Sequence, residues 1–242
     1  MGLFSKLKTD GLEEQEDRVG GGRKVQPTNI YLATINALYA GEADSGAQYV
    51  EMVATLDESG AEYRERFFIT NKKGENFFVD KQDNSKKRAL PGFTIIDNLC
   101  LLTTDKPLCE QDTEERTFKV YNSKEKKEIN TPCEALTDVM GQKVYLGIKH
   151  EIRNGYKDGK DTNDKREENT VSDVFHAELK LTVLEARQGK DTAEFFDAWL
   201  DTNVPNGESR VFDRWKEIKG AASGNAPKAG AGGQRASLFA KK

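Results

Sequence analysis

The sequence predicts a mainly β chain with a single inserted helix. Short runs rich in β-formers recur along the first half of the chain, each closed by a Gly, Asn or Ser turn. One segment between two prolines, Pro91 to Leu102, breaks that rhythm with helical spacing. The chain also ends in a Gly/Ala-rich stretch that no packed core requires.

Residues 1–28 are charged, contain Gly20-Gly21-Gly22 and close on Pro27, so they read as a flexible N-terminal arm. Ordered chain starts near Asn29. Ile30–Leu38 predicts a first strand, and Gly41–Gly46 a turn. Tyr49, Val50, Met52, Val53 and Leu56 predict a second strand. Ser59-Gly60 leads into Tyr63–Thr70, and Asn71-Lys72-Lys73-Gly74 turns that strand into Asn76–Val79, as one hairpin. In Pro91–Leu102, residues Phe93, Ile95, Ile96, Leu99, Leu101 and Leu102 fall on one helical face. Strands resume at Thr117–Tyr121, Lys127–Pro132, Lys143–Ile152 and Val174–Ala186. Gly155–Thr170 is nearly free of apolar residues and reads as a long solvated loop between the last two strands.

Two amphipathic segments follow. Asp191 with Glu194 matches a capping box ahead of Phe195, Phe196, Trp199 and Leu200. Val211, Phe212, Trp215 and Ile218 again show helical spacing. The sequence leaves open whether these segments pack on the sheet or present a docking surface. The resulting architecture is an OB-like five-stranded barrel with an inserted helix, which such folds use to plug one end. Its divisions are an arm (1–28), a β domain (29–187), a helical extension (188–219) and a flexible basic tail (220–242).

Charge narrows the function classes. The 242 residues carry a net −4, with 32% charged and 36% hydrophobic. Residues 220–242 hold Lys228, Arg235, Lys241 and Lys242 and no acid, which leaves −8 on the rest. Nucleic acid bound by the body therefore requires a local basic face. No apolar run reaches the ~20 residues that span a bilayer, and the first ten residues lack a signal-peptide core. Three widely spaced cysteines make no disulfide framework. Cys100, Cys109, Cys133, His150 and His176 show no zinc-ligand pairing. P-loop, EF-hand and nucleophile-elbow spacings are absent, so no metal, no cofactor and no enzyme activity is expected. The abundant carboxylates keep a metal-dependent nuclease as an alternative, although most lie in solvated charge runs.

Single strands are held by aromatic platforms for bases and by cations for phosphates. Strand alternation puts Arg64, Arg66 and Phe68 on one face and Tyr63, Phe67 and Ile69 on the other. Lys72 and Lys73 occupy the turn, and Phe77 or Phe78 the return strand. Lys86, Lys87 and Arg88 form a basic loop before the helix, and Lys119 and Tyr121 alternate along one face of a later strand. Each set also fits an ordinary solvated face.

The stretch 63–78, Tyr-Arg-Glu-Arg-Phe-Phe-Ile-Thr-Asn-Lys-Lys-Gly-Glu-Asn-Phe-Phe, resembles a signature of phage single-stranded DNA-binding proteins of OB-fold type. So do Leu-Pro-Gly-Phe…Asn-Leu-Cys-Leu-Leu (90–102) and Lys-Val-Tyr-Asn…Lys-Lys-Glu (119–128), in the expected order. The resemblance covers about residues 28–187. The tail Ser237-Leu238-Phe239-Ala240-Lys241-Lys242 is similar to that of the schitovirus group of short-tailed phages. It implies a protein that coats single-stranded DNA for replication and recombination in the cytoplasm of an infected bacterium. It also implies that Ser237, Leu238, Phe239, Lys241 and Lys242 contact partner proteins, host RNA polymerase among them. The alternative is an adaptor whose main role is recruiting that polymerase. The tail is basic, the reverse of the acidic bacterial tails, so bacterial tail partners are not implied.

Overall fold

A computed structural model describes residues 25–80, 82–122, 125–157 and 159–218. Its elements are β1 (Asn29–Glu42), β2 (Gln48–Leu56), β3 (Ala61–Phe68), β4 (Phe77–Val79), β5 (Lys87–Ala89), α1 (Pro91–Thr104), β6 (Glu114–Asn122), β7 (Lys127–Ala135), β8 (Lys143–Lys157), β9 (Lys160–His176), α2 (Val183–Arg187), α3 (Glu194–Asn203) and β10 (Val211–Asp213). The protein is mainly β, with one large, largely antiparallel sheet and few helices.

The long strands lie in the order β3-β2-β1-β8-β9. β2 joins β1 and β3 in an antiparallel meander, from Ala33 opposite Leu56 to Tyr49 opposite Phe68. The other edge of β1 takes β8, Asn29 opposite Ile148. Among the described residues β3 and β9 share no backbone ladder, so the sheet is not closed into a barrel. α1 packs along this seam against β3, β8 and β9. Its start follows from Pro91 at the first helical position. Ile96, Leu99 and Cys100 point inward from it onto Ile35, Leu38, Met52, Leu146 and Ile148, the main core.

A bulge between Ile35 and Ala37 changes what covers β1. Beyond it Ala37, Leu38 and Tyr39 are all buried, because both faces are covered. Leu38 faces the main core, while Ala37 and Tyr39 join Val53 and Ala135 in a second cluster beneath the β6–β7 hairpin. Tyr39 stacks on Phe118 at 4.3 Å between ring centroids.

Several expectations are corrected. Tyr63–Val79 is not one hairpin: β3 pairs with β2, and β4 pairs instead with β5. Lys87 and Arg88 are therefore strand residues rather than loop. Gly155–Thr170 is not a solvated loop but part of a long β8–β9 arm, paired as far as Lys157 opposite Lys160. It lacks apolar residues because the arm runs past the core and leaves little to bury. β9 ends at His176, and Val183–Arg187 is helical where a strand was expected. The capping box lies at Thr182 and Glu185, not at Asp191 and Glu194; α3 starts after Ala193 without a side-chain cap. Finally, Val211–Ile218 is extended rather than helical. β10 runs parallel to β8, with Val211 opposite His150. The chain beyond it is held by side-chain amides that imitate a strand: Lys216 N–H donates to Asn154 Oδ1 (3.0 Å) and Ile218 N–H to Asn163 Oδ1 (2.8 Å).

α3 packs on the sheet. Phe196 and Trp199 are buried with Phe175, and Trp199 Nε1 donates to Asp173 Oδ2 at 2.9 Å. A Cβ at Gly147 would meet the Trp199 ring at 3.1 Å, so this glycine leaves the space the indole fills. Among the described residues no helix is long and apolar enough to cross a membrane.

Candidate nucleic-acid interface

β3 obeys the alternation read from its sequence. Tyr63 and Phe67 are buried, while Arg66 and Phe68 are exposed and Arg64 is half-buried. The register aligns the residues of this face, buried and exposed, across three strands: Tyr39, Glu51 and Arg66 in one row, Gly41, Tyr49 and Phe68 in the next. Gly41 has a local cause, since a Cβ there would lie 2.5 Å from the Tyr49 ring. Tyr49 spreads across it and supports both neighbours. The Arg66 guanidinium lies 3.9 Å from the Tyr49 ring centroid, and Phe68 meets that ring edge-on at 6.0 Å. Arg66 Nε also donates to Glu51 Oε2 at 2.8 Å. These contacts fix the side chains before any ligand arrives, which lowers the ordering cost of binding.

Arg64, Arg66 and Phe68 line a cleft of about 950 Å³ whose far wall is the β8–β9 arm. That wall contributes Arg153, Tyr156 and Arg166, none of which the sequence pointed to. Tyr156 is 67% exposed, unusual for an aromatic without a task. A signal for the arm was present in the Asp-Gly pair at 158–159, a dipeptide that favours hairpin turns, and Gly159 has φ +79°. A bulge at Gly155 bends the arm, and a Cβ there would stand 2.7 Å from Thr162 Oγ1.

The cleft is mixed in charge rather than uniformly basic. Glu51, Glu62, Glu65, Glu167 and Glu168 share it with the four arginines. Arg153 Nε donates to Glu151 Oε2 at 2.7 Å and lies 3.2 Å from Glu168; Arg214 holds the other oxygen of Glu151 at 2.8 Å. Glu151 is thus a buried acid clamped by two arginines, tying the arm to the C-terminal segment. Glu65 lies deepest. Burial pushes its carboxyl up to about 7, against hydrogen bonds from Tyr63 Oη and the Val171 N–H that favour the ionised form.

The remaining candidates fall in two other places. Phe77, Lys86, Lys87 and Arg88 belong to a flap closed at its base by Leu90 N–H on Asn76 O (2.9 Å). This base adjoins the end of β3, where a Cβ at Gly92 would meet Phe68 O at 2.5 Å. Lys72 and Lys73 are exposed on the preceding turn. Lys87 Nζ lies 4.2 Å from the Phe77 ring centroid, Lys86 Nζ 3.2 Å from Asp83 Oδ2, and Arg88 Nε 2.6 Å from Asp80 Oδ2. Lys119 and Tyr121 point outward from β6, opposite the Phe118 and Val120 face that packs on β1. They do not line the cleft. Ser237, Leu238, Phe239, Lys241 and Lys242 lie outside the described residues.

Cys100 is a core residue, its thiol pushed up to about 12 by burial. Among the described residues no group of three or more His, Cys, Asp or Glu is placed to hold a metal. No known protein family, curated protein or solved structure matches the chain.

Proposed function

We propose that this protein binds single-stranded DNA along the outer face of β3, without sequence preference. The observation that carries the reading is the row Arg64, Arg66 and Phe68, the last two set on Tyr49, open to a cleft faced by Arg153, Arg166 and Tyr156. A half-exposed phenylalanine beside arginines offers a base a stacking platform and its phosphates a cation. The turn and the flap extend the same end of β3 with Lys72, Lys73 and Phe77. Strands β1, β2, β3, β8 and β9 with α1 correspond, in this reading, to an OB-like barrel left open at one seam.

The wider role follows the resemblance in 63–78, 90–102 and 119–128. The chain coats single strands during phage replication and recombination in the bacterial cytoplasm, and its 220–242 segment contacts partner proteins, including RNA polymerase. No catalytic step is assigned.

Titration of labelled oligo-dT, followed by anisotropy at low salt, tests binding. Saturable binding that weakens steeply with salt, and that duplex DNA competes for poorly, is expected. Absence of binding at low salt overturns the proposal, as does cleavage of the strand with magnesium or manganese present.

A further inference from the structure

A second cleft, of about 570 Å³, opens between α1, β9, α2 and α3, and shares no lining residue with the cleft beside β3. Its apolar wall includes Ile95, Val183, Leu184 and Phe195. Leu184 is 64% and Phe195 43% exposed. Large apolar side chains gathered around a cleft mark a surface that something covers.

α3 borders this cleft with an acidic face. Glu194, Asp197 and Asp201 are exposed at helical spacing, and the helix contains no base. Arg187 and Lys190 also line the cleft, and Lys190 engages Glu194 at 2.5 Å; on the adjoining face of α3, outside the lining, Asp197 and Asp201 form no ion pair among the described residues. The complement of such a surface is a short segment with large apolar residues followed by cations. The chain carries one in Leu238-Phe239-Ala240-Lys241-Lys242, within an acid-free stretch from residue 220. Leu3-Phe4-Ser5-Lys6 repeats the pattern, but Asp10, Glu13, Glu14, Glu16 and Asp17 follow it and would meet α3 with like charge.

The reach is sufficient. The described chain leaves the arm at Ile218, bonded to Asn163, and the cleft begins on the same strand at Ser172. Nine residues of strand span about 30 Å, whereas the twenty residues from 218 to 238 extend to about 66 Å.

We infer that Leu238–Lys242 docks in this cleft of its own chain, with Leu238 and Phe239 against Leu184 and Phe195 and the two lysines on the carboxylates of α3. The docked segment is then withheld from partner proteins, so a partner must displace it. Nothing in this inference depends on DNA binding.

Zero-length carbodiimide coupling of the dilute full-length protein, read by mass spectrometry, tests it. Links from Lys241 or Lys242 to Glu194, Asp197 or Asp201 within one chain are expected. They should disappear in Phe239→Asp, which leaves the described fold untouched, and in Leu184→Asp at a solvent-facing site. Links that persist in Phe239→Asp would show tethered proximity alone and overturn the inference. Links formed only between chains, links from Lys6 or Lys8 instead, or no links to α3 overturn it equally.

Discussion

Glu65 on β3 accepts the backbone N–H of Val171 on β9 at 2.8 Å, across a seam that has no backbone ladder among the described residues. A single half-buried carboxylate thus spans the gap between the outer strands, with Tyr63 Oη on the same oxygen at 2.5 Å.

This placement makes stability depend on pH. Burial raises the Glu65 pKa to about 7, with Glu168 adding repulsion and Arg153 opposing it. A carboxyl raised in the folded state binds a proton more tightly there than when unfolded. Its contribution is fully present below about pH 4.5 and is lost as pH rises towards 7. Glu65→Gln keeps an acceptor for both donors and removes the charge. The variant should gain on the order of 3 kcal/mol over the parent at pH 8 and little at pH 4. Urea denaturation at the two pH values measures it; an equal effect at both would contradict the linkage.

Phe68→Ala should weaken oligo-dT binding by about 5- to 150-fold, the range for removing one stacking platform. Its ring is 46% exposed, so the midpoint of thermal unfolding should move little. Anisotropy titration beside a thermal melt separates the two effects.

Tyr156→Ala tests the arm. Loss of affinity comparable to that of Phe68→Ala places the strand between β3 and the arm. Unchanged affinity confines it to β3 and the flap.

Lys72→Ala with Lys73→Ala should make the salt dependence shallower, by up to about 0.7 in slope for each phosphate no longer neutralised. A parallel shift without a change in slope would mean that these lysines do not meet phosphate. Titrations at four salt concentrations are enough.

Trp199→Ala should destabilise the protein by about 3–5 kcal/mol, because the indole is buried and its N–H satisfies Asp173. Denaturation monitored by far-UV circular dichroism reads this cost. A small loss would mean that α3 contributes little to the stability of the sheet.

The parts legible in the sequence share one property: each lies against the main core and carries apolar residues to bury there. β3 and α1 announce themselves through alternation or helical spacing, and β1 and β2, covered on both faces over much of their length, through dense apolar runs. The arm does not, since Asn154–Asn169 reaches past that core and polar residues suffice on both faces. The site was half legible for the same reason. Arg66 and Phe68 stand out beside buried Tyr63 and Phe67, whereas Tyr156 sits among charges that read as loop. Val211–Ile218 misled for another reason: its aromatic spacing suits a helix, but Asn154 and Asn163 supply tertiary hydrogen bonds that favour an extended chain. No local pattern announces partners more than fifty residues away.

The pairing of β1 with β8 also sets an order of events during synthesis. Asn29 waits for Ile148, about 120 residues later in the chain. At elongation rates of up to ~20 residues per second that interval is roughly 6 s or more. The β1–β2–β3 meander is complete long before then, with one bare edge of β1 offering unpaired amides to any passing strand. Newborn chains crowded on one message are therefore most prone to mispair at Asn29–Thr34, and a chaperone that shields this edge would act in that window.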